Sequence, residues 1–306
     1  MKKQMLQLPK KLNKFYININ NLLPILFDVS LRDGIQGLTK EHQEKFTIKD
    51  KIDIYHNVLF NYNPKNIEIG SIVNSKIMPV MKDSLKLFDY VEDFKNTSNL
   101  SMNHFLLTPN KKKFVDGYDY GIKNFSFATS VSESFQKKNI NMNLHNTKKE
   151  LIEIFKILDA DENNGFFNTK LYISCINECP IEGKIDNDFI INEILNYHKN
   201  LNVNEICLSD TCGSLTFDDF QYIVETCLFF GMTPNKLSIH LHIKKENIEE
   251  IQKIVFFALD QKIMKFDVSV LESGGCSLTM PNSSLLPNMS YELFLNLYKK
   301  YLELRY

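Results

Sequence analysis

The sequence predicts a single-domain α/β fold, a closed (β/α)8 barrel of the TIM type, and three observations predict it. Eight short apolar runs alternate with longer amphipathic stretches along the whole chain. Several of the runs are almost continuously apolar, as a parallel strand buried on both faces must be. The unusual polar residues gather at the C-terminal ends of the runs, where such a barrel builds its sites. At 306 residues the chain is somewhat longer than the roughly 250 typical of eight β/α units.

In chain order, the strand-like runs are Pro24–Ser30, Asn66–Val73, His104–Thr108, Asn124–Ser130, Lys170–Asn177, Glu205–Ser209, Leu237–Ile243 and Phe266–Leu271. Helical spacing of apolar residues marks Thr47–Asn61, where Ile48, Ile52, Tyr55 and Leu59 share one face. The same spacing marks Thr147–Leu158, Asp188–Asn200, Thr216–Phe230 and Lys245–Leu259. Asn146–Thr147 ahead of Glu150, and Thr216 ahead of Asp218 and Asp219, read as helix starts. Gly231 and then Pro234 read as a stop. An open, doubly wound sheet would serve the same alternation, but no Gly-x-Gly-x-x-Gly turn follows the first run.

Composition narrows the classes. The net charge is −1, from 36 basic and 37 acidic residues, so no global basic field points to nucleic acid. No apolar run approaches the ~18 residues of a membrane span. The six cysteines form no Cys-x-x-Cys pair, and a chain of this size needs no disulfides, so reduced thiols in the cytoplasm are expected. The first 22 residues carry Lys2, Lys3, Lys10, Lys11 and Lys14 and no acid. They read as an N-terminal arm ahead of a barrel over residues 23–306, with a mitochondrial address as the alternative.

Polar residues at the strand ends carry the chemistry. The first run exits through Arg32-Asp33-Gly34-Ile35-Gln36, the second carries Glu68 and Ser71, and the sixth ends in Ser209-Asp210-Thr211. The seventh reads Ile239-His240-Leu241-His242, with both imidazoles on one side. After the eighth comes Glu272-Ser-Gly-Gly-Cys276, a turn presenting a thiol. Each feature alone has an ordinary reading: a solvated histidine pair, a surface ion pair, a helix cap, a buried thiol. Together at one barrel mouth they suggest a divalent-metal site of His240, His242 and Asp33 with open positions for substrate oxygens. Arg32 would steady an enolate oxygen, which suits making or breaking a carbon–carbon bond next to a carbonyl.

The stretch Ser30-Leu-Arg-Asp-Gly-Ile-Gln36 resembles the first-strand signature of the metal-dependent acyl-CoA lyases and synthases, the pyruvate carboxyltransferase superfamily. Within it the chain is most similar to the hydroxymethylglutaryl-CoA lyases. Ile67–Val73, Ser132–Asn141, Tyr172–Lys184, Leu208–Gly213, His240-Leu-His242 and Gly274-Gly-Cys276 extend the match in order. The resemblance implies Asp33, His240 and His242 as ligands of magnesium or manganese, and Arg32 on the thioester carbonyl. It implies Cys276 in proton transfer on a mobile loop, with Glu68, Asp210 and Gln36 as supporting polar residues. It also implies cleavage of an acyl-CoA substrate, hydroxymethylglutaryl-CoA, to acetyl-CoA and acetoacetate, and a homodimer.

Most of the departures lie in one loop. The family's asparagine ligand falls, without gaps, on Leu285; Asn288 takes its place through a short insertion, ahead of Asn282. The residue after the second histidine is Ile243 rather than the usual aspartate. Ser277-Leu-Thr-Met-Pro281 replaces the small residues that make the loop mobile in relatives. Two alternatives therefore accompany the lyase reading. One is an aldolase or condensing enzyme on a 2-oxo acid; the other is a catalytically silent barrel that binds or regulates.

Overall fold

A computed structural model describes residues 23–161, 166–275 and 277–305. Eight parallel strands close on themselves: β1 (Ile25–Asp28), β2 (Asn66–Ser71), β3 (Asn103–Leu107), β4 (Asn124–Ser130), β5 (Asn168–Ser174), β8 (Glu205–Asp210), β9 (Leu237–Leu241) and β10 (Lys265–Val268). Two short strands, β6 (Glu178–Cys179) and β7 (Gly183–Lys184), form an antiparallel hairpin outside the barrel after β5. Each barrel strand lies in one of the expected runs, within about two residues at most ends. The N-terminal arm expected over residues 1–22 lies outside the described residues.

Packing explains why these runs become strands. On their outward faces, Ile67, Ile69, Leu106, Phe125, Phe127, Leu171, Ile173, Ile206, Leu208, Leu237, Ile239 and Phe266 join one core with the surrounding helices. The alternate residues, among them Ser126, Lys170, Glu205 and Ser238, are polar but buried as well, so the central strands are covered on both faces. The helices start where short polar side chains satisfy their first amides. Thr47 and Asp50 form a reciprocal capping box for Ile48–Tyr62. The Thr216 hydroxyl accepts from the Asp219 amide to open Phe217–Phe229. Gly231, with φ of 94°, then lets the chain leave in the left-handed region.

One expected start was misplaced. The helix is Leu144–Ala160, opened by Asn143 accepting from the Asn146 amide. Thr147 lies inside it, its hydroxyl donating to the Asn143 carbonyl and accepting from Gln136 Nε2. The Lys245–Leu259 stretch likewise divides, into a 3-10 turn at Lys245–Asn247 and a helix at Ile248–Asp260. Helices at Lys40–Lys45, Ser84–Thr97, Lys111–Asp119 and Glu133–Ile140 add to those expected. The Lys111–Asp119 and Glu133–Ile140 helices run only 9 and 8 residues, which leaves few turns in which a period can show.

The inside of the barrel is polar. Its floor holds Lys170, which pairs with Asp267 and, at 3.0 Å, with Glu205, and stands 3.7 Å above the Phe27 ring. Lys265 reaches Glu205 from outside at 3.2 Å. Burial works against the Lys170 charge, but the Asp267 and Glu205 carboxylates raise its pKa above the ordinary value. Above this floor, Leu107, Tyr172 and Cys207 pack with Ala128, and a cavity of about 390 Å³ opens at the C-terminal ends of the strands.

Candidate metal centre and active site

Everything in the site hangs from strand ends. After β1 the chain turns through a five-residue π-type bend, Ser30–Gly34, closed by the Gly34 amide on the Val29 carbonyl at 3.0 Å. Such wide turns recur at functional positions. This one places Arg32 and Asp33 side by side, both buried at the barrel mouth.

Arg32 is held on three sides. Its Nε donates to Glu68 Oε2 at 2.5 Å, Nη1 donates to Asp33 Oδ1 at 2.6 Å, and the guanidinium lies 4.7 Å from the Tyr172 ring centre. Tyr172 Oη also donates to Glu68 Oε2, at 3.1 Å. Glu68 and Ser71 are three apart, which in a regular strand would put them on opposite faces. A register shift between Glu68 and Gly70 turns both inward, opposite Phe105 and Leu107.

Asp33 divides its two oxygens. Oδ1 takes the Arg32 bond; Oδ2 accepts from the Gly275 amide at 2.8 Å and faces His242 Nε2 at 3.4 Å and His240 Nε2 at 3.9 Å. One ligand atom from each of Asp33, His240 and His242 lies within 4.8 Å of the others, and all three residues are buried. Burial pushes the Asp33 carboxyl up, but Arg32 and the two imidazoles more than offset it and hold the group well below the usual carboxylate range.

The histidines are oriented by the nitrogens that face away. His240 Nδ1 is 3.1 Å from Asp267 Oδ2, and His242 Nδ1 is 2.9 Å from the Asp210 main-chain carbonyl. A carbonyl and an ionised carboxylate are acceptors only, so each Nδ1 carries the proton. Each Nε2 then faces Asp33 and, in the neutral ring, offers its lone pair there, the arrangement by which outer partners prepare imidazoles for a metal.

Asn288 lies beside His242 in the chain pairing, opposite it in an antiparallel bridge held by Ile243 N to Pro287 O at 2.8 Å and Met289 N to Leu241 O at 3.1 Å. Its Nδ2 donates to the Ser273 carbonyl at 3.2 Å, while its buried Oδ1 has no hydrogen-bond partner. An acceptor left bare in the interior costs free energy unless something binds there. The two imidazoles and the carboxylate form a donor set that suits a divalent cation.

The remaining expected residues take different places. Gln36 lines the cavity, and its carbonyl accepts from Gln43 Nε2 and Ser277 Oγ. Asp210 was expected beside metal and substrate. Instead its carboxylate accepts from the Ser214 and Leu215 amides at 3.1 and 3.2 Å, and it serves the site through its main-chain carbonyl. Cys276 lies outside the described residues, between Gly275 and Ser277. Sequence reasoning missed Asp267, Tyr172 and Lys170 as site supports. Charged residues inside otherwise apolar runs, Asp267 after Phe266 and Lys170 before Leu171, were the available signal.

A family model described as HMGL-like matches residues 23–246. The chain belongs to the HMGL-like family. Among named relatives of this HMGL-like chain is the 3-hydroxy-3-isohexenylglutaryl-CoA/hydroxy-methylglutaryl-CoA lyase of Pseudomonas aeruginosa. It is 26% identical over 254 residues, 82% of this chain and 77% of that one. The cytoplasmic 3-hydroxy-3-methylglutaryl-CoA lyase of Homo sapiens is 27% identical over 252 residues, 82% of this chain but only 63% of that longer protein. In fold, the chain matches an HMG-CoA lyase from Acinetobacter baumannii solved with coenzyme A and 3-methylmalate. The TM-score is 0.74 at 23% identity, covering 91% of this chain and 84% of that one.

The cavity of this HMGL-like barrel runs outward from the metal triad. Its walls pass from Arg32, His240 and His242 to the apolar Met78, Met81 and Leu278, and to Lys113 and Lys138 farther out. Leu278, from the altered loop, packs on the cluster of Ile35, Met78, Val80 and Met81. Lys138 Nζ donates to the Thr279 carbonyl at 3.1 Å and ties the same loop down. Among the described residues, no helix is long and apolar enough to cross a membrane.

Proposed function

We propose that this protein is a divalent-metal-dependent carbon–carbon lyase that splits hydroxymethylglutaryl-CoA, or a close 3-hydroxyacyl-CoA relative, into acetyl-CoA and a 3-oxo acid. The observation that carries the reading is the convergence of Asp33 Oδ2 and the His240 and His242 Nε2 atoms beside Arg32, at the inner end of a cavity. The relatives named as lyases supply the substrate class.

In this reading Asp33, His240, His242 and Asn288 hold magnesium or manganese, which when bound supplies Lewis-acid polarisation of substrate oxygens. The chain's own groups do the rest. Glu68 and Asp33 use two of the Arg32 donors and fix its plane, so the others meet the thioester oxygen where negative charge develops. The bond between C2 and C3 breaks, and its electron pair becomes the thioester enolate. The C3 hydroxyl gives up its proton, its electron pair forms the ketone of acetoacetate, and a proton is returned to the enolate carbon. Cys276 is the proposed proton carrier, and Gln36 is proposed to contact substrate from the cavity wall. A cytoplasmic location and a homodimer complete the proposal.

The test is acetoacetate release from hydroxymethylglutaryl-CoA by the purified protein with magnesium or manganese, against a chelator control. Release that the chelator abolishes is the expected result. A folded, metal-loaded protein that yields no acetoacetate would overturn the substrate assignment.

A further inference from the structure

Beside the cavity, three segments bring two cysteines together in unequal surroundings. Cys179, in the β6–β7 hairpin, has its sulfur at the focus of three donors. Ser132 Oγ stands at 3.0 Å and the Ile181 and Glu182 amides at 3.3 Å each. Main-chain amides and a hydroxyl aimed at one sulfur stabilise a thiolate there. Cys175, immediately after β5, is fully buried and adopts φ of 65°, a left-handed conformation that a side chain with a Cβ rarely takes. Its amide donates to Thr211 Oγ1 at 2.9 Å, which holds the strained residue in place. The Cys175 thiol serves Cys179 as a hydrogen-bond donor, and this contact does most to bring Cys179 down to about 5. Burial and the same neighbour push Cys175 up. Cys212 and Cys227 are pushed by burial up to about 12.

We propose that Cys179 and Cys175 form a redox couple, a nucleophilic thiolate and its resolving thiol, which closes reversibly to a disulfide under hydroperoxides. The Cys179 sulfur attacks one peroxide oxygen, the O–O bond breaks, and water or an alcohol leaves with the other oxygen. The resulting sulfenic acid is attacked by the Cys175 sulfur; the S–S bond forms and water departs. Two electrons pass from the two sulfurs to the peroxide, and a dithiol returns them. Cys179 is only 1% exposed, so access needs the hairpin to open. That hairpin has two-residue strands and an exposed turn at Pro180–Glu182, the kind of element that opens locally. Ser174, next to Cys175, and Thr211, which holds its amide, both line the cavity. Closing the bond therefore acts on the wall of the site. None of this rests on the lyase reading.

The experiment exposes the full-length protein to hydrogen peroxide, blocks remaining thiols by alkylation and maps the cysteines by peptide mass spectrometry. Two of the six cysteines should lose their label, Cys175 and Cys179, in one internally linked peptide that dithiothreitol restores. In Cys175→Ser, a cyclic diketone should trap sulfenic acid at Cys179. In Cys179→Ser, Cys175 should stay a free thiol. Alkylation of both residues after oxidation, or a bond from Cys179 to Cys212 or Cys276 instead, overturns the proposal.

Discussion

His240 stands between two carboxylates, and the regions they belong to are built differently. On the floor, Asp267 is saturated: Lys170 takes one oxygen and the His240 Nδ1 hydrogen the other, while Glu205 shares Lys170. At the mouth, Asp33 is tied by Arg32 and Gly275, yet its Oδ2 still faces two imidazole lone pairs, with the Asn288 Oδ1 acceptor bare nearby in the bridge to His242. One network closes its charges on itself; the other leaves acceptors converging on a common point. A closed network stabilises and positions, whereas acceptors converging on one point bind either a proton or a cation there. The two regions should therefore fail in different ways.

The largest effect is expected at the mouth. Asp33→Ala removes the one anionic member of the triad, and manganese titration calorimetry should register no binding while the protein still folds. Retained manganese affinity would move the metal site elsewhere. On the floor, Lys170→Met leaves Asp267 and Glu205 buried without their cation. Breaking such a pair costs about 3–5 kcal/mol, read as a lowered urea midpoint. A Lys170→Met protein as stable as the parent would show that the floor is not a closed charge network.

The contrast also explains what the sequence could disclose. The strands were legible because Leu171, Ile173, Ile206, Leu208 and their neighbours are apolar on runs of strand length, which parallel packing requires. The triad was legible because its ligands sit at strand ends, with His240 and His242 two residues apart. Asn288 was reached only by looking past Leu285, and it pairs with His242 in a backbone bridge. The floor was not legible. Lys170 and Asp267 are 97 residues apart, and a single charge in an apolar run carries no hint of its partner. Glu68 and Ser71 break the two-residue period because of a local register shift that strand patterning does not encode. The role of Asp210 was assigned from its side chain, while the site uses its carbonyl.

A smaller effect is expected where the two regions meet. Asp267→Asn keeps the size of the side chain but removes the anion that fixes the His240 Nδ1 proton. Loss of such an outer partner weakens metal binding about 10–100-fold, with His240 still present to bind. A manganese dissociation constant equal to that of the parent would make Asp267 a floor residue only.

The last prediction separates the two regions by pH. Burial works against a charged His242, but its contact with Asp33 and the Asp210 carbonyl raise its pKa above the ordinary 6.5. A protonated imidazole has no lone pair to offer, so protons compete with the metal at the mouth. Manganese affinity should therefore rise with pH through a midpoint above 6.5. The fold responds in the opposite sense. A raised folded-state pKa means the metal-free protein gains stability from charged His242 that is complete below 6.5 and is lost as pH rises through the folded value. Without metal, melting temperature should fall over the same interval in which manganese affinity climbs. In Asp33→Ala the melting-temperature slope should flatten, because the carboxylate that raises His242 is gone. If the metal-free melting temperature instead rises with pH there, the His242–Asp33 contact is not an ion pair and does not set the pH response of the mouth.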